Sequence, residues 1–377
     1  MKFTLAPDSF KESMSAQCAV MAMERGIRRV FPGAECIGVP MADGGEGTVE
    51  ALVAAMGGTE VTVPVQDGLG RLVGARYGYV DCEKLAIIEM AAAAGLGLVD
   101  KSLRDPRVTG TFGVGQMIGD ALDRGARHFI IGLGGSVSND GGAGMLQALG
   151  VRFIDAAGDE LPSGGAALAR LDRIDISSLD RRLGEVEFRI VSDVSNPLLG
   201  PEGASAVFGP QKGADERTVR ELEDALATYA RVVTAATGRD IANVAGAGAA
   251  GGVGAALLAF FDVDMRRGMD IVMEAARLEE KIEGADFVFT GEGSLDEQTI
   301  CGKTPFGVAQ AAGRQGVPVI AFAGRVGPGS EVLYEHGFRA LVPIIQSVSD
   351  LPSALADGPR NLERAVSTTC RLLGIGH

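Results

Sequence analysis

The chain has 377 residues, of which 46% are apolar and 22% are charged, and its formal net charge is -14. This composition excludes a disordered chain and is typical of a globular enzyme, and the length favours two domains. The negative charge would repel a phosphate backbone and no basic stripe offsets it, which excludes nucleic acid as a partner.

The cysteines and the N-terminus indicate where the protein works. The five cysteines are an odd number, show no CxxC spacing and have no neighbouring histidine, so we expect free thiols in a reducing cytosol. The N-terminal residues do not have the composition of a signal peptide. The uncharged stretch 244–261 is rich in glycine and alanine, which predicts a turn and a short buried helix and no membrane span. We therefore expect a cytoplasmic protein with no membrane partner.

Short apolar segments alternate with helical segments along the chain, which predicts an α/β fold with largely parallel sheets. The stretch 60–81 breaks this rhythm, because it alternates in polarity and turns at Asp67-Gly68, so it is expected to form a hairpin. Strands buried on both faces are predicted at 2–6, 35–39, 128–134, 187–192, 286–291, 317–324 and 340–345. Helices are predicted at 16–30, 49–56, 112–124, 218–236, 269–282, 306–315 and 361–373.

Five loops rich in acids follow predicted strands. They read APDSFK (6–11), MADGGEG (41–47), GGSVSNDGG (134–142), SDVSNP (192–197) and GEGSLD (291–296). Ligands gather at the carboxyl ends of strands in open α/β sheets, so we expect these loops to form a functional site. Any single loop could instead be a capping turn, in which the acid binds its own backbone.

The residue types in these loops suit phosphoryl transfer. That reaction needs amide donors and a basic side chain for the phosphates, carboxylates for Mg²⁺, and an acid to accept a hydroxyl proton. Asp193 is the leading acid, because it follows an apolar strand and a buried, unpaired carboxylate would be costly. The three histidines lie before a strand, in a turn and at the terminus, so we expect them to be structural or exposed.

Common nucleotide-binding motifs match poorly. The segment EQTICGKT (297–304) lacks the first glycine of a P-loop, although Lys303 could still reach a phosphate. The segment GAGAAG (246–251) has the spacing of a dinucleotide fingerprint, but the residues before it form a poor strand. A nucleotide-dependent oxidoreductase and a non-catalytic carboxylate-binding protein therefore stay open as alternatives to a kinase.

Taken together, the motifs resemble one family. APDSFK, MADGGEGT, EMAAAAGL, GGSVSNDGGAGMLQALG, DVSNPLLGPEGASAVFGPQKGA, GAGAAGGVGAALLAFF and TGEGSLDEQT closely resemble, in this order, the bacterial glycerate kinases of glyoxylate and glucarate metabolism. The resemblance implies ATP-dependent phosphorylation of D-glycerate with Mg²⁺, with 2-phosphoglycerate as the favoured product. It also implies two different α/β domains with the active site in the cleft between them. Residues 1–75 plus 284–377 would form a discontinuous Rossmann-like domain and 76–283 an inserted one.

The loops and the resemblance together indicate candidate site residues. The catalytic candidates are Asp193, as base or metal ligand, with Lys11 and Asp8. The substrate-binding candidates are Ser9, Ser136, Asn139 and Asp140. The phosphate-binding candidates are Gly44, Gly45, Gly134, Gly135, Gly291, Gly293 and Lys303, and the metal-binding candidates are Asp43, Glu46 and Asp296.

The chain departs from the family pattern at two notable positions. The family usually has glycine where Glu12 stands, and a basic residue where Ser294 stands. The second departure removes a phosphate contact, which puts the nucleotide affinity in question. The sequence leaves open the oligomeric state, including a homo-oligomer, and the hydroxyl group that is phosphorylated.

Overall fold

The structure is a computed structural model that describes residues 1–42 and 47–374. Its strands are β1 (Lys2–Pro7), β2 (Glu35–Gly38), β3 (Thr59–Gln66), β4 (Leu72–Val80), β5 (Leu85–Glu89), β6 (His128–Gly132), β7 (Arg152–Asp155), β8 (Leu171–Asp175), β9 (Glu187–Val191), β10 (Val263–Arg266), β11 (Phe287–Leu295), β12 (Val319–Val326) and β13 (Phe338–Pro343). Its helices are α1 (Ala16–Arg28), α2 (Thr48–Met56), α3 (Ala91–Ala94), α4 (Phe112–Asp123), α5 (Ala143–Ala148), α6 (Ala204–Phe208), α7 (Glu216–Thr237), α8 (Val253–Phe260), α9 (Gly268–Ala275), α10 (Leu278–Ile282), α11 (Thr304–Arg314), α12 (Leu351–Ala356) and α13 (Gly358–Leu373).

The chain divides into two compact units, and the predicted α/β fold class is confirmed. Unit 1 comprises Met1–Asp43, Glu50–Gly57 and Gly268–His377, and unit 2 comprises Gly44–Val49 and Gly58–Arg267. The domain division predicted at 75/76 and 283/284 stays a prediction. Among the described residues, no helix is both long and apolar enough to span a membrane.

Unit 1 is built on a five-stranded parallel sheet with the strand order β13-β12-β11-β1-β2. Phenylalanines from the central strands fill its core: the ring centroids of Phe3 and Phe289 lie 5.2 Å apart, as do those of Phe289 and Phe322. The prediction that β2 and β13 are buried on both faces is wrong. Both are edge strands, so each has a neighbour on one side only and several of its residues are partly exposed.

Unit 2 is built on a six-stranded sheet with the order β10-β9-β6-β5-β4-β3. The first four strands in this order are parallel, and β4 and β3 continue the sheet antiparallel. The predicted hairpin is confirmed as β3 and β4. Its turn is held by Asp67, whose carboxylate accepts the N–H groups of Leu69 and Arg71 at 2.9 Å each.

Two further local predictions need correction. The segment 269–282 forms two helices, α9 and α10, because Arg277 between them has a left-handed backbone with φ 51°. Strand β11 extends to Leu295, four residues beyond the predicted end, because it pairs with β12 along this whole length. Gly291 and Gly293 therefore lie within a strand and not in a loop.

Candidate active site

The carboxyl edge of the unit 1 sheet carries Asp8, directly after β1. Asp8 is buried, and its carboxylate accepts hydrogen bonds from the Thr304 hydroxyl and from the N–H of Ser9, both at 2.6 Å. Thr304 is the first residue of α11. The positive end of the α11 dipole therefore lies beside the Asp8 carboxylate, which is a favourable arrangement of charge. Asp8 was predicted from the sequence and Thr304 was not, because Thr304 is 296 positions away along the chain.

Lys11 follows Asp8 by three positions and its side chain is exposed. Its backbone nitrogen lies close to β11: a Cβ atom built on Gly293 would be 3.8 Å from it. The next residue, Glu12, has a φ of 64°, in the left-handed region where glycine carries no steric penalty. This backbone conformation explains why a glycine suits position 12 in the family pattern.

Lys303 lies among carboxylates at the same edge. Its Nζ is 3.8 Å from Glu292 Oε1 and 3.6 Å from Asp296 Oδ1. Lys303 is also the residue that precedes α11, and an anion at this helix N-terminus would be stabilised by the helix dipole. These features support the predicted phosphate-binding role of Lys303.

One of the two glycines of β11 is required by the packing of strands. A Cβ on Gly291 would clash with the carbonyl oxygen of Phe322 on β12, so this position does not tolerate a side chain. Gly293 is close to Gly324, where a Cβ would lie 2.8 Å from the Gly293 carbonyl oxygen. The predicted phosphate-binding role of Gly291 has no support in its geometry, because its backbone pairs with Pro7 and Phe322 within the sheet, and the role of Gly293 stays a prediction.

An arginine stands beside Ser294, where the family pattern has a basic residue. Ser294 on β11 is the register partner of Arg325 on β12. Side chains at paired positions of parallel strands lie on the same face of the sheet. The Arg325 side chain is exposed and makes no hydrogen bond or ion pair with any residue that the structure describes. The positive charge missing at position 294 is therefore present one strand away.

In unit 2, the loop that follows β6 carries five of the candidates. Gly134 and Gly135 are exposed, and Gly135 has a φ of 72°, which favours glycine. Ser136 is only 5% exposed, and its hydroxyl accepts a hydrogen bond from Lys212 Nζ at 2.8 Å. Asn139 is fully buried: its Nδ2 donates to Ser205 Oγ at 3.0 Å, and its Oδ1 has no described partner. Such a buried acceptor is available to a donor group of a ligand.

Asp140 was predicted to bind substrate, but its carboxylate accepts hydrogen bonds from other residues of the chain. It is 1% exposed, and its Oδ2 accepts the N–H and the hydroxyl of Thr111 at 2.9 and 2.8 Å and the N–H of Gly144 at 3.2 Å. Its Oδ1 accepts the N–H of Gly142 at 3.1 Å. Burial raises the pKa of Asp140 and these hydrogen bonds act against the shift. Asp140 therefore anchors the loop, and the substrate contact predicted for it stays without support.

Lys212 is a functional candidate that the sequence analysis missed. It is 1% exposed, and burial lowers the pKa of its ammonium to about 7, while the Asp140 carboxylate acts in the opposite direction. Besides Ser136, it donates to the backbone oxygen of Ser138 at 2.5 Å. The only sequence signal was its place in the quoted motif GPQKGA, because a lysine next to a glycine in a turn-like segment is typically exposed.

Asp193 lies two residues beyond the end of β9, and its side chain is exposed. The expectation that this carboxylate is buried is therefore wrong. The position still fits a site, since β5, β6, β9 and β10 are parallel and their carboxyl ends share one edge of the unit 2 sheet. The role of Asp193 as a base or metal ligand stays a prediction.

The structure leaves some metal and phosphate candidates outside the described residues. Asp43, Gly44, Gly45 and Glu46 all lie outside them. Within the described ranges, no three His, Cys, Asp or Glu side chains form a group that could hold a metal ion. Asp296 is the described member of the predicted metal set; its Oδ1 accepts the N–H of Gln298 at 3.0 Å as a helix cap.

The dinucleotide-like segment has no support in the fold. Residues 239–252, which include GAGAAG, contain no strand, and Ala249–Gly251 form a short 3₁₀ helix before α8. A dinucleotide fingerprint needs a strand that leads into the glycine-rich turn. This finding removes the sequence basis for the oxidoreductase alternative.

The chain is similar to known proteins over nearly its full length. The profile of the glycerate kinase family matches residues 3–374. A glycerate kinase of Halalkalibacterium halodurans is 48% identical over 96% of this chain and 95% of its own length. A glycerate 2-kinase of Escherichia coli K12 is 47% identical over 100% of this chain and 99% of its own length. The crystal structure of a Salmonella typhimurium LT2 protein, provisionally named glycerate kinase 2, superposes with a TM-score of 0.91 at 47% identity and covers 100% of this chain and 99% of that one.

Proposed function

This chain belongs to the glycerate kinase family, and we propose that it transfers the γ-phosphoryl group of ATP to a hydroxyl group of D-glycerate, mainly the 2-hydroxyl. The observation that carries the proposal is the match of the family profile to residues 3–374, together with 47% identity to a glycerate 2-kinase over the full length. A cytoplasmic location belongs to the same proposal.

In this proposal the carboxyl edge of the unit 1 sheet binds the phosphates. Lys303 and Arg325 supply positive charge, and the positive end of the α11 dipole adds to it, which suits the phosphate binding that phosphoryl transfer needs. Asp8, held by Thr304 and the Ser9 N–H, keeps this helix end in place. Lys11, exposed beside Gly293, is available to an anionic oxygen of either substrate.

In unit 2, the loop after β6 and Asp193 act on the glycerate. Ser136 and Asn139 present a hydroxyl and a buried amide oxygen for its carboxylate and hydroxyl groups. As the hydroxyl oxygen bonds to the γ-phosphorus, the bond from that phosphorus to the ADP oxygen breaks, and the hydroxyl proton passes to the Asp193 carboxylate. A positioned general base of this kind contributes about 10²–10⁴-fold in rate.

Mg²⁺ is part of the proposal, since phosphoryl transfer uses it to neutralise charge on the β- and γ-phosphates. Mg²⁺ is commonly held by one or two carboxylates together with the phosphates, so a preassembled group of three acids is not required. Asp296 fits this pattern as a single carboxylate at the end of β11, beside Lys303. Asp43 and Glu46 complete the predicted set and lie outside the described residues.

The proposal is tested directly by product analysis. The purified protein with Mg-ATP and D-glycerate should form ADP and phosphoglycerate, and ³¹P NMR should show mainly the 2-phospho isomer. Formation of 3-phosphoglycerate alone would contradict the choice of hydroxyl group. If glycerate raises the melting temperature but no ADP forms, the chain is a carboxylate-binding protein and the kinase proposal is wrong.

A change of Lys11 tests whether its exposed ammonium acts on a substrate. Lys11→Met should lower kcat/KM by about tenfold or more, the loss expected when a single charge-assisted contact is removed. The melting temperature should change little, because the side chain is exposed. Kinetics equal to those of the wild type would show that Lys11 is a solvated surface residue.

The pair Ser294 and Arg325 allows a swap experiment. Arg325→Ser should raise the KM for ATP by about tenfold, the effect of losing a charge-assisted phosphate contact. The double variant Ser294→Arg/Arg325→Ser should recover most of this loss, because the guanidinium group returns to the adjacent strand of the same sheet face. The matched control is Arg339→Ser, an exposed arginine near the amino end of β13 at the opposite edge of the sheet, which should leave the KM unchanged. A double variant no better than Arg325→Ser would contradict the shared role.

A further inference from the structure

A buried ammonium group donates hydrogen bonds to the loop after β6. Lys212 lies in the short 3₁₀ helix Pro210–Lys212, 76 positions from Ser136 and 74 from Ser138, and its Nζ donates to both residues. A lysine that is 1% exposed is rare, because removing an ammonium group from water is costly. Packing of an apolar side chain would fill the same volume without that cost, which indicates that the charge itself serves the loop.

The bonds of Lys212 fall on the part of the loop that carries the substrate candidates. Ser136 receives one bond through its hydroxyl, and Ser138 receives the other through its backbone, next to Asn139. A residue seven positions before Lys212 binds the same loop: Ser205 on α6 accepts a hydrogen bond from the Asn139 side-chain amide at 3.0 Å. The segment 205–212 therefore determines the orientation of both side chains.

The ammonium group also changes what Ser136 can do. A hydroxyl oxygen that accepts from an ammonium group has its lone pair engaged, so its own hydrogen is directed elsewhere. Hydrogen bonds in such a chain polarise one another, which makes the Ser136 hydroxyl a stronger donor to a carboxylate. The residue after Lys212 must be a glycine: Gly213 has a φ of 97°, and a Cβ there would clash with the Arg104 carbonyl oxygen.

We propose that Lys212 is a positioning residue for glycerate binding, whose buried ammonium group orients Ser136 and the Ser138–Asn139 backbone toward the carboxylate of the substrate. This inference rests on the proposed function, because it takes Ser136 and Asn139 as groups that bind glycerate. It concerns substrate binding and assigns Lys212 no contact with ATP.

The variant Lys212→Met keeps the length and apolar stem of the side chain and removes both hydrogen bonds. The KM for D-glycerate should rise at least tenfold, whereas the KM for ATP should change less than twofold. The melting temperature should stay within a few degrees, because the variant loses two hydrogen bonds but also the cost of a buried charge. Lys101→Met, which changes an exposed lysine of unit 2, is the matched control and should behave as the wild type.

Hydrogen exchange gives a second readout that does not depend on turnover. Amides in the loop 133–139 should exchange at least tenfold faster in Lys212→Met, while amides of α7 keep their protection. An unchanged loop and an unchanged KM for glycerate would overturn the inference. A general loss of protection with equal effects on both KM values would also overturn it, since Lys212 would then be a support for the whole unit. Absence of glycerate phosphorylation by the wild-type protein would instead contradict the proposed function and leave the exchange result to stand by itself.

Discussion

Asp193→Asn should lose about a hundredfold or more in kcat, the contribution of a positioned general base. Asparagine preserves the shape of the side chain, but it does not accept the hydroxyl proton and is a weaker ligand for Mg²⁺. Because Asp193 is exposed and lies beyond the end of β9, the change should leave the melting temperature within a few degrees. The measurement is steady-state ADP release with saturating ATP and D-glycerate, beside a thermal unfolding curve.

The control for this variant is Asp262→Asn. Asp262 is also exposed, but it directly precedes β10 and so lies at the amino edge of the same sheet, away from the predicted site. It should keep the kcat of the wild type. If Asp193→Asn also keeps its kcat, Asp193 belongs to the turn after β9, and the base must be sought at Asp8, Asp43 or Asp296.

Asp140→Asn should destabilise the folded protein by about 3 kcal/mol, because a buried charged acceptor is replaced by a group with half its acceptor capacity. Four donors from Thr111, Gly142 and Gly144 point at the carboxylate. The amide NH₂ of asparagine would face some of these donors with another donor and leave them unpaired in the interior. The change in the free energy of unfolding is measured from urea unfolding curves.

The matched control is Asp175→Asn. Asp175 accepts the N–H of Ser177 at 2.9 Å in an exposed turn, so its change should cost no more than about 0.5 kcal/mol. The substrate-binding role predicted from the sequence gives a different expectation for Asp140→Asn, namely a change in the KM for glycerate without a loss of stability. If Asp140→Asn keeps its stability while the KM for glycerate rises strongly, Asp140 binds substrate and its four donors are not its main role.

The local pattern of the sequence determined most of the secondary structure. Apolar runs predicted β1, β2, β6, β9, β11, β12 and β13, and alternation around Asp67-Gly68 predicted the hairpin of β3 and β4. Periodicity reports which residues are apolar at which spacing, and it does so within a few turns of chain. It failed at β5, where the five residues Leu85–Glu89 follow a polar turn and gave no separate signal.

Tertiary structure decided which segments are neighbours, and with them the chemistry of each candidate. The strand order put β2 and β13 at the edges of the sheet, where several of their residues are partly exposed, although their composition resembles that of central strands. The continued pairing of β11 with β12 turned the GEGS segment from an expected loop into strand, which moved Gly291 and Gly293 into sheet packing. Neither outcome depends on the residues of the segment alone.

The site shows the same division between sequence and structure. The ordered motifs were sufficient to indicate the family, because each motif is contiguous and its residues are read directly from the chain. Whether Asp140 points at a ligand or at its own backbone, and whether Lys212 is solvated or buried, depends on partners at Thr111 and Ser136, 29 and 76 positions away. A carboxylate or an ammonium group takes its role from the donors, acceptors and water around it, and only the folded chain brings those groups together.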